Sequence, residues 1–120
     1  MKLSEVIELI LSCRKQKSCT NEIANEAHNK AESLGWFSKK EFPAPYRNRN
    51  GRIDLFLNSD GKSAGIEVDR KSFKKKSIEK LRLLDVSYRI LVVADEDVKF
   101  VPDGIDAVIS ISHRTFITAK

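Results

Sequence analysis

Three features of the 120-residue chain predict an α/β fold built on a mixed sheet. Residues 52–57 and 64–69 alternate apolar and polar side chains on either side of the turn Asn58-Ser59-Asp60-Gly61, the pattern of two adjacent strands. Residues 88–94 contain the uninterrupted run Ile90-Leu91-Val92-Val93, which suits a strand buried on both faces. Between them lies a segment of helical spacing, so this third strand is expected to run parallel to its neighbour after a crossover helix.

Taken in order, residues 3–12 place Leu3, Val6, Ile7, Ile10 and Leu11 on one helical face, with Ser4 as cap. The polar run Arg14-Lys15-Gln16-Lys17-Ser18 suits a helix end and loop. A second helix begins at Thr20 or Asn21, turns Ile23, Ala27, Ala31 and Leu34 inward, and ends at Gly35. Residues 36–42 read as a first strand, broken by Pro43 and Pro45. The Asn- and Arg-rich stretch 46–51 follows as a turn. In the two central strands Ile53, Leu55 and Leu57 share one face, as do Ile66 and Val68. Glu67, Asp69 and Lys71 form a row on the opposite face of their strand. Ser72 is the expected cap of the next helix, whose buried stripe is Ile78, Leu81 and Leu84. Residues 107–111 make one more short strand, and 114–120 carry no assignment.

One domain over residues 1–120 accounts for the length. Hydrophobic residues at 41% and charged residues at 32% fit a soluble protein, and no apolar run approaches the roughly 20 residues of a membrane span. Glu5 and Glu8 interrupt the N-terminal apolar stretch, so a secretory signal is not expected and a cytoplasmic location is. Cys13 and Cys19 are too few for a disulfide framework and lack companions for a zinc site; Cys13 reads as a small core residue. There is no Gly-rich phosphate loop. The net charge of +5 is unevenly spread. Arg70, Lys71, Lys74, Lys75, Lys76, Lys80 and Arg82 face only Glu79 in their segment. Lys39, Lys40, Arg47, Arg49 and Arg52 face only Glu41. The acids Asp95, Glu96, Asp97, Asp103 and Asp106 gather elsewhere. A nucleic acid is the natural partner of that layout, and a solvated basic face is its bland alternative.

If the central strands pair, Asp54 sits near Glu67. Carboxylates clustered within a small sheet need a partner, and a divalent cation with its preference for oxygen ligands is the usual one. In Gly51-Arg52-Ile53-Asp54, then Ile66-Glu67-Val68-Asp69, a Lys-rich helix and the strand at 88–94, the chain resembles the PD-(D/E)xK nuclease superfamily over residues 21–95. This resemblance implies a restriction-endonuclease-like αβββαβ core, with an extra N-terminal helix and a short C-terminal strand. It implies a DNA endonuclease using Mg²⁺, with Mn²⁺ as substitute, held by Asp54, Glu67 and the Val68 carbonyl. The superfamily lysine belongs where this chain has Asp69, a candidate third metal ligand. The missing positive charge is then sought at Lys71, or at Lys75 or Lys76 on the helix. A further glutamate on the first core helix would be Glu22 or Glu26, between which spacing does not choose; Glu26 also has Lys30 one turn on.

Arg47, Arg49, Arg52, Lys74, Lys75 and Lys76 are the candidate phosphate contacts, and Asn48 and Asn50 could contact phosphates or base edges. Tyr46 could stack on bases, whereas Trp36 reads as core. His28 and His113 stand apart, which argues against a His-dependent nuclease. A homodimer or a larger nuclease complex would give so small a chain more surface for a duplex. The alternative is a catalytically inactive module of the same fold that binds nucleic acid or a protein partner.

Overall fold

A computed structural model describes residues 1–13 and 20–119. Helices α1 (Leu3–Leu11) and α2 (Thr20–Ser33) precede the strands β1 (Phe37–Pro43), β2 (Arg52–Ser59) and β3 (Lys62–Asp69). Helix α3 (Lys75–Leu83) then leads to β4 (Tyr88–Val93), β5 (Ala107–Ser110) and β6 (Thr115–Thr118). Six strands form one mixed sheet in chain order. β1, β2 and β3 are antiparallel neighbours, β3, β4 and β5 run parallel, and β6 returns antiparallel. The crossover through α3 and the parallel β3–β4 pair agree with expectation; β6 adds a strand where the sequence carried no assignment. No helix among the described residues is long and apolar enough to cross a membrane.

The sheet separates two cores. On one side Val6, Ile7, Ile10, Ile23 and Ala27 from α1 and α2 pack on Leu55, Leu57, Ile66, Val68, Ile90, Val92 and Ile109. On the other, Leu81 of α3 packs with Ile53, Leu91, Val93, Ile105 and Val108. Consecutive β4 residues therefore enter opposite cores, which is why that strand reads as a continuous apolar run. Gly65 lets α3 come close: a Cβ there would stand 3.1 Å from Leu84 Cδ1 and 3.3 Å from Leu81 Cδ2.

β2 departs from the predicted alternation. Ile53 lies in the α3 core while Leu55 and Leu57 lie in the other, so the strand rolls over between them. The cause sits at Asp54, which neither ladder includes: β1 pairs Lys40 with Leu55 and Phe42 with Ile53, and the β3 ladder stops at Leu55–Ile66. Across from it Glu41 takes a left-handed backbone (φ 53°), which costs a side-chain-bearing residue on the order of 1 kcal/mol.

Other expectations are corrected at the helix ends. Lys2, not Ser4, precedes α1, and Glu5 reaches back to accept its N–H at 2.7 Å. Leu34 is 60% exposed because α2 has already closed. Trp36 N–H donates to Ala31 O and Gly35 N–H to Glu32 O, with Gly35 at φ 80°, a Schellman end that turns Leu34 out. Trp36 packs against the α1/α2 core, as expected. Lys74, not Ser72, precedes α3. β3 ends at Asp69, so Lys71 is off the strand and outside the row assigned to it. The loop expected over Arg14–Ser18, and Cys19, lie outside the described residues. Cys13 is buried, and burial pushes its thiol up to about 12, as befits an inert core residue.

Candidate active site

Where β2 and β3 part, two main-chain N–H groups lose their ladder partners, and buried donors must find others. The acids supply them. Val68 N–H donates to Asp54 Oδ2 at 2.6 Å, and Asp54 N–H donates to Glu67 Oε1 at 2.9 Å. Each carboxylate thus bridges the gap from the opposite strand. Hydrogen bonds of this charge-assisted kind are among the stronger ones in proteins.

Glu67 is buried and points into the α3 side, where Lys80 Nζ stands 2.9 Å from Oε2. Lys80 also donates to Arg52 O at 2.6 Å. An ammonium has three donors, so these contacts leave one for another acceptor. The Asp54 and Glu67 side chains lie side by side, each crossing to a main-chain N–H of the other strand. Burial, followed by the Asp54 charge, pushes Glu67 up to about 7. Asp54 is also raised, chiefly by burial, with the Glu41 carboxylate adding to the shift. Two carboxyls this close make each other's ionisation harder, and the Lys80 ammonium offsets part of that. Asp54 opens on a recess of about 210 Å³ lined by Asn21, Ala24, Asn25, Lys40 and Glu41.

The structure thus brings together Asp54, Glu67 and the Val68 backbone from the expected set, and adds Lys80. Asp69 turns elsewhere. Its Oδ2 accepts Lys74 N–H at 3.1 Å and its Oδ1 accepts Ser77 Oγ–H at 3.4 Å. It therefore ties the residue before α3, and the Ser77 hydroxyl in its first turn, to the end of β3. No three His, Cys, Asp or Glu side chains among the described residues converge as a ready metal-ligand set. Asp69→Ala is expected to cost about 1 kcal/mol of stability in urea unfolding while leaving Mn²⁺ affinity unchanged. A variant of normal stability and weakened Mn²⁺ binding would make Asp69 a ligand instead.

Glu22 is exposed on the first turn of α2, and Glu26 lies 3.7 Å from Lys30. The α2 face lining the Asp54 recess carries Asn21 and Asn25, not either glutamate. Lys71, Lys75 and Lys76 are all exposed, and it is Lys80 that reaches Glu67. Lys80 had a legible signal. Ser77, Lys80, Leu81 and Leu84 fall at i, i+3, i+4 and i+7, so this lysine interrupts the inward stripe of α3. Glu41 had none, because its approach to Asp54 depends on a backbone conformation that spacing does not reveal.

Arg47, Arg49, Lys75 and Lys76 line one cleft with Tyr46 and Glu79. Lys74 lines a separate recess with Val68, Asp69 and Lys71. Arg52 is exposed at the start of β2, and its carbonyl receives Lys80. The basic and acidic segments meet at Arg70, whose Nε lies 3.2 Å from Asp95. No protein-family model matches the chain, and no curated protein sequence matches it significantly.

Proposed function

We propose that the chain is a metal-dependent nuclease of restriction-endonuclease-like architecture, cutting phosphodiester bonds in DNA. The observation that carries this reading is the gap between β2 and β3, where Asp54 and Glu67 press together beside Lys80. Two raised carboxyls and a nearby backbone make a hard-oxygen donor set. Such a set suits Mg²⁺, which keeps several of its waters, or Mn²⁺. Bound there, the ion supplies charge neutralisation at the phosphate and an acidified water.

Asp54 and Glu67 would hold the cation, with the Val68 carbonyl beside them. Lys80 takes the part first sought at Lys71 or Lys76: anchored by Glu67 and Arg52 O, it offers its remaining N–H to a phosphate oxygen or a water. The contacts of Asp69 with the start of α3 would account for an acid where the superfamily has its lysine, with the positive charge arriving from α3. The same contacts favour a second reading, a silent module that binds DNA without cutting it. A cytoplasmic setting and a homodimer or larger complex are consistent with either.

Supercoiled plasmid incubated with Mg²⁺ or Mn²⁺ tests the proposal. Wild type is expected to yield nicked or linear product and Asp54→Asn none. Asparagine is the better control than alanine because its carbonyl still accepts the Val68 N–H. Wild type that never cuts but binds DNA in a salt-sensitive manner would leave only the second reading.

A further inference from the structure

We infer that the cleft between the β1–β2 hairpin and α3 is a backbone-phosphate site that Glu79 holds partly closed. The inference rests on the nuclease reading for its biological ligand, but its geometry is independent of the acid pair. The cleft has a volume of about 240 Å³ and is lined by Tyr46, Arg47, Arg49, Lys75, Lys76 and Glu79, four cations against one acid. Tyr46 and Arg49 close the hairpin tip by exchanging main-chain hydrogen bonds, Tyr46 N–H to Arg49 O at 3.2 Å and Arg49 N–H to Tyr46 O at 2.8 Å. Between them Arg47 and Asn48 have φ 49° and 58°. A two-residue turn with both φ positive favours Asn and Gly, so arginine there is an uncommon choice. Gly51 allows the hairpin its close return, since a Cβ would meet Ala44 O at 2.5 Å.

From that turn Arg47 reaches α3, where its Nη2 stands 2.6 Å from Glu79 Oε1. A carboxylate on a guanidinium occupies the donor edge that a phosphate would take. Among the described residues Glu79 is the only acid lining the cleft, and it neutralises one of four cations that otherwise repel one another. An incoming phosphodiester therefore competes with the Glu79 carboxylate for Arg47 Nη2. Lys76 lines this cleft and Lys80 holds Glu67 exactly one step of four residues later on the same helix. Four residues rise about 6 Å along a helix axis, close to two nucleotides of duplex rise. The cleft and the Lys80–Glu67 contact thus lie about one helical turn apart along α3.

The test is a binding titration of a labelled DNA duplex in EDTA, so that no cleavage intervenes, repeated over a range of salt and with an RNA duplex of the same sequence. Arg49→Gln and Lys76→Gln are each expected to weaken binding and reduce the salt slope by about 1. Glu79→Gln is expected to tighten it several-fold, because Arg47 is released to the phosphate. If only the backbone is read, DNA and RNA respond alike; a response confined to one of them assigns that polymer as the source of the phosphate. Unchanged slopes in the two cation variants, or Glu79→Gln that binds no better than wild type, would overturn the inference. Plasmid nicking that persists alongside such unchanged slopes would leave the nuclease reading standing. Slopes that change in a protein that never nicks would do the reverse.

Discussion

Lys80→Met is expected to lower metal-dependent nicking by roughly 10²–10³-fold, the usual cost of removing one preorganised donor from an active site. Methionine keeps most of the buried stem and deletes the ammonium. Two contacts disappear, the one to Glu67 Oε2 and the one to Arg52 O. Breaking a buried ion pair from one side costs about 3–5 kcal/mol when the remaining charge stays uncompensated. Glu67 can escape that cost by taking up a proton, so the stability deficit of Lys80→Met should be small in mildly acidic buffer and grow as pH rises. Adding Glu67→Gln removes the stranded charge and should restore urea stability at alkaline pH without restoring cleavage. A Lys80→Met protein that nicks like wild type would reduce Lys80 to a structural counter-ion.

The second large effect links pH, metal and stability. In the folded chain the Glu67 carboxyl is pushed from 4.5 up to about 7. Between those values the folded state holds a proton that the unfolded chain has released. Stability from this group is therefore fully present below about pH 4.5 and is lost as pH climbs towards 7. The shift corresponds to a loss on the order of 3 kcal/mol. If Asp54 and Glu67 hold a divalent cation as proposed, it would compete with that proton. Mg²⁺ should raise the melting temperature strongly in mildly alkaline buffer and hardly at all in acid buffer. The same pH profile in Glu67→Gln should be shallower, with only the Asp54 carboxyl of the pair left to titrate. Equal stabilisation by Mg²⁺ at both ends of the range would place the ion somewhere other than this pair.

Much of the fold is legible because its elements are written in periodicity. The run Ile90-Leu91-Val92-Val93 and the alternation through Ile66 and Val68 need no tertiary knowledge to be read as strands. The Asp54–Glu67 meeting is legible for the same reason, since two antiparallel strands around a short turn fix which residues oppose. What escaped depended on contacts between distant segments. Asp69 looks like a site acid in its row with Glu67, yet its partner is a helix start five residues later. Ser72 looks like a cap, yet Lys74 is the residue that precedes α3. Lys80 is hidden by its six basic neighbours between Arg70 and Arg82, and only the inward stripe of α3 separates it from them. The roll of β2 at Asp54 lies across from Glu41, whose left-handed backbone no alternation pattern announces.

That roll has a bearing on how such a chain can drift. Asp54 and Glu67 mend a break in the sheet as well as carrying charge, because each accepts a main-chain N–H that has lost its strand partner. A lineage that no longer needed to cut anything would still be held to both residues, or to their amide isosteres, by the requirement to fold. Lys80 is held only through the charge on Glu67 and the Arg52 carbonyl, and that hold loosens once Glu67 is protonated or replaced by its amide, because no charge is then stranded. In any descendant of this protein, erosion of function would be recorded at the lysine before it reached the acids.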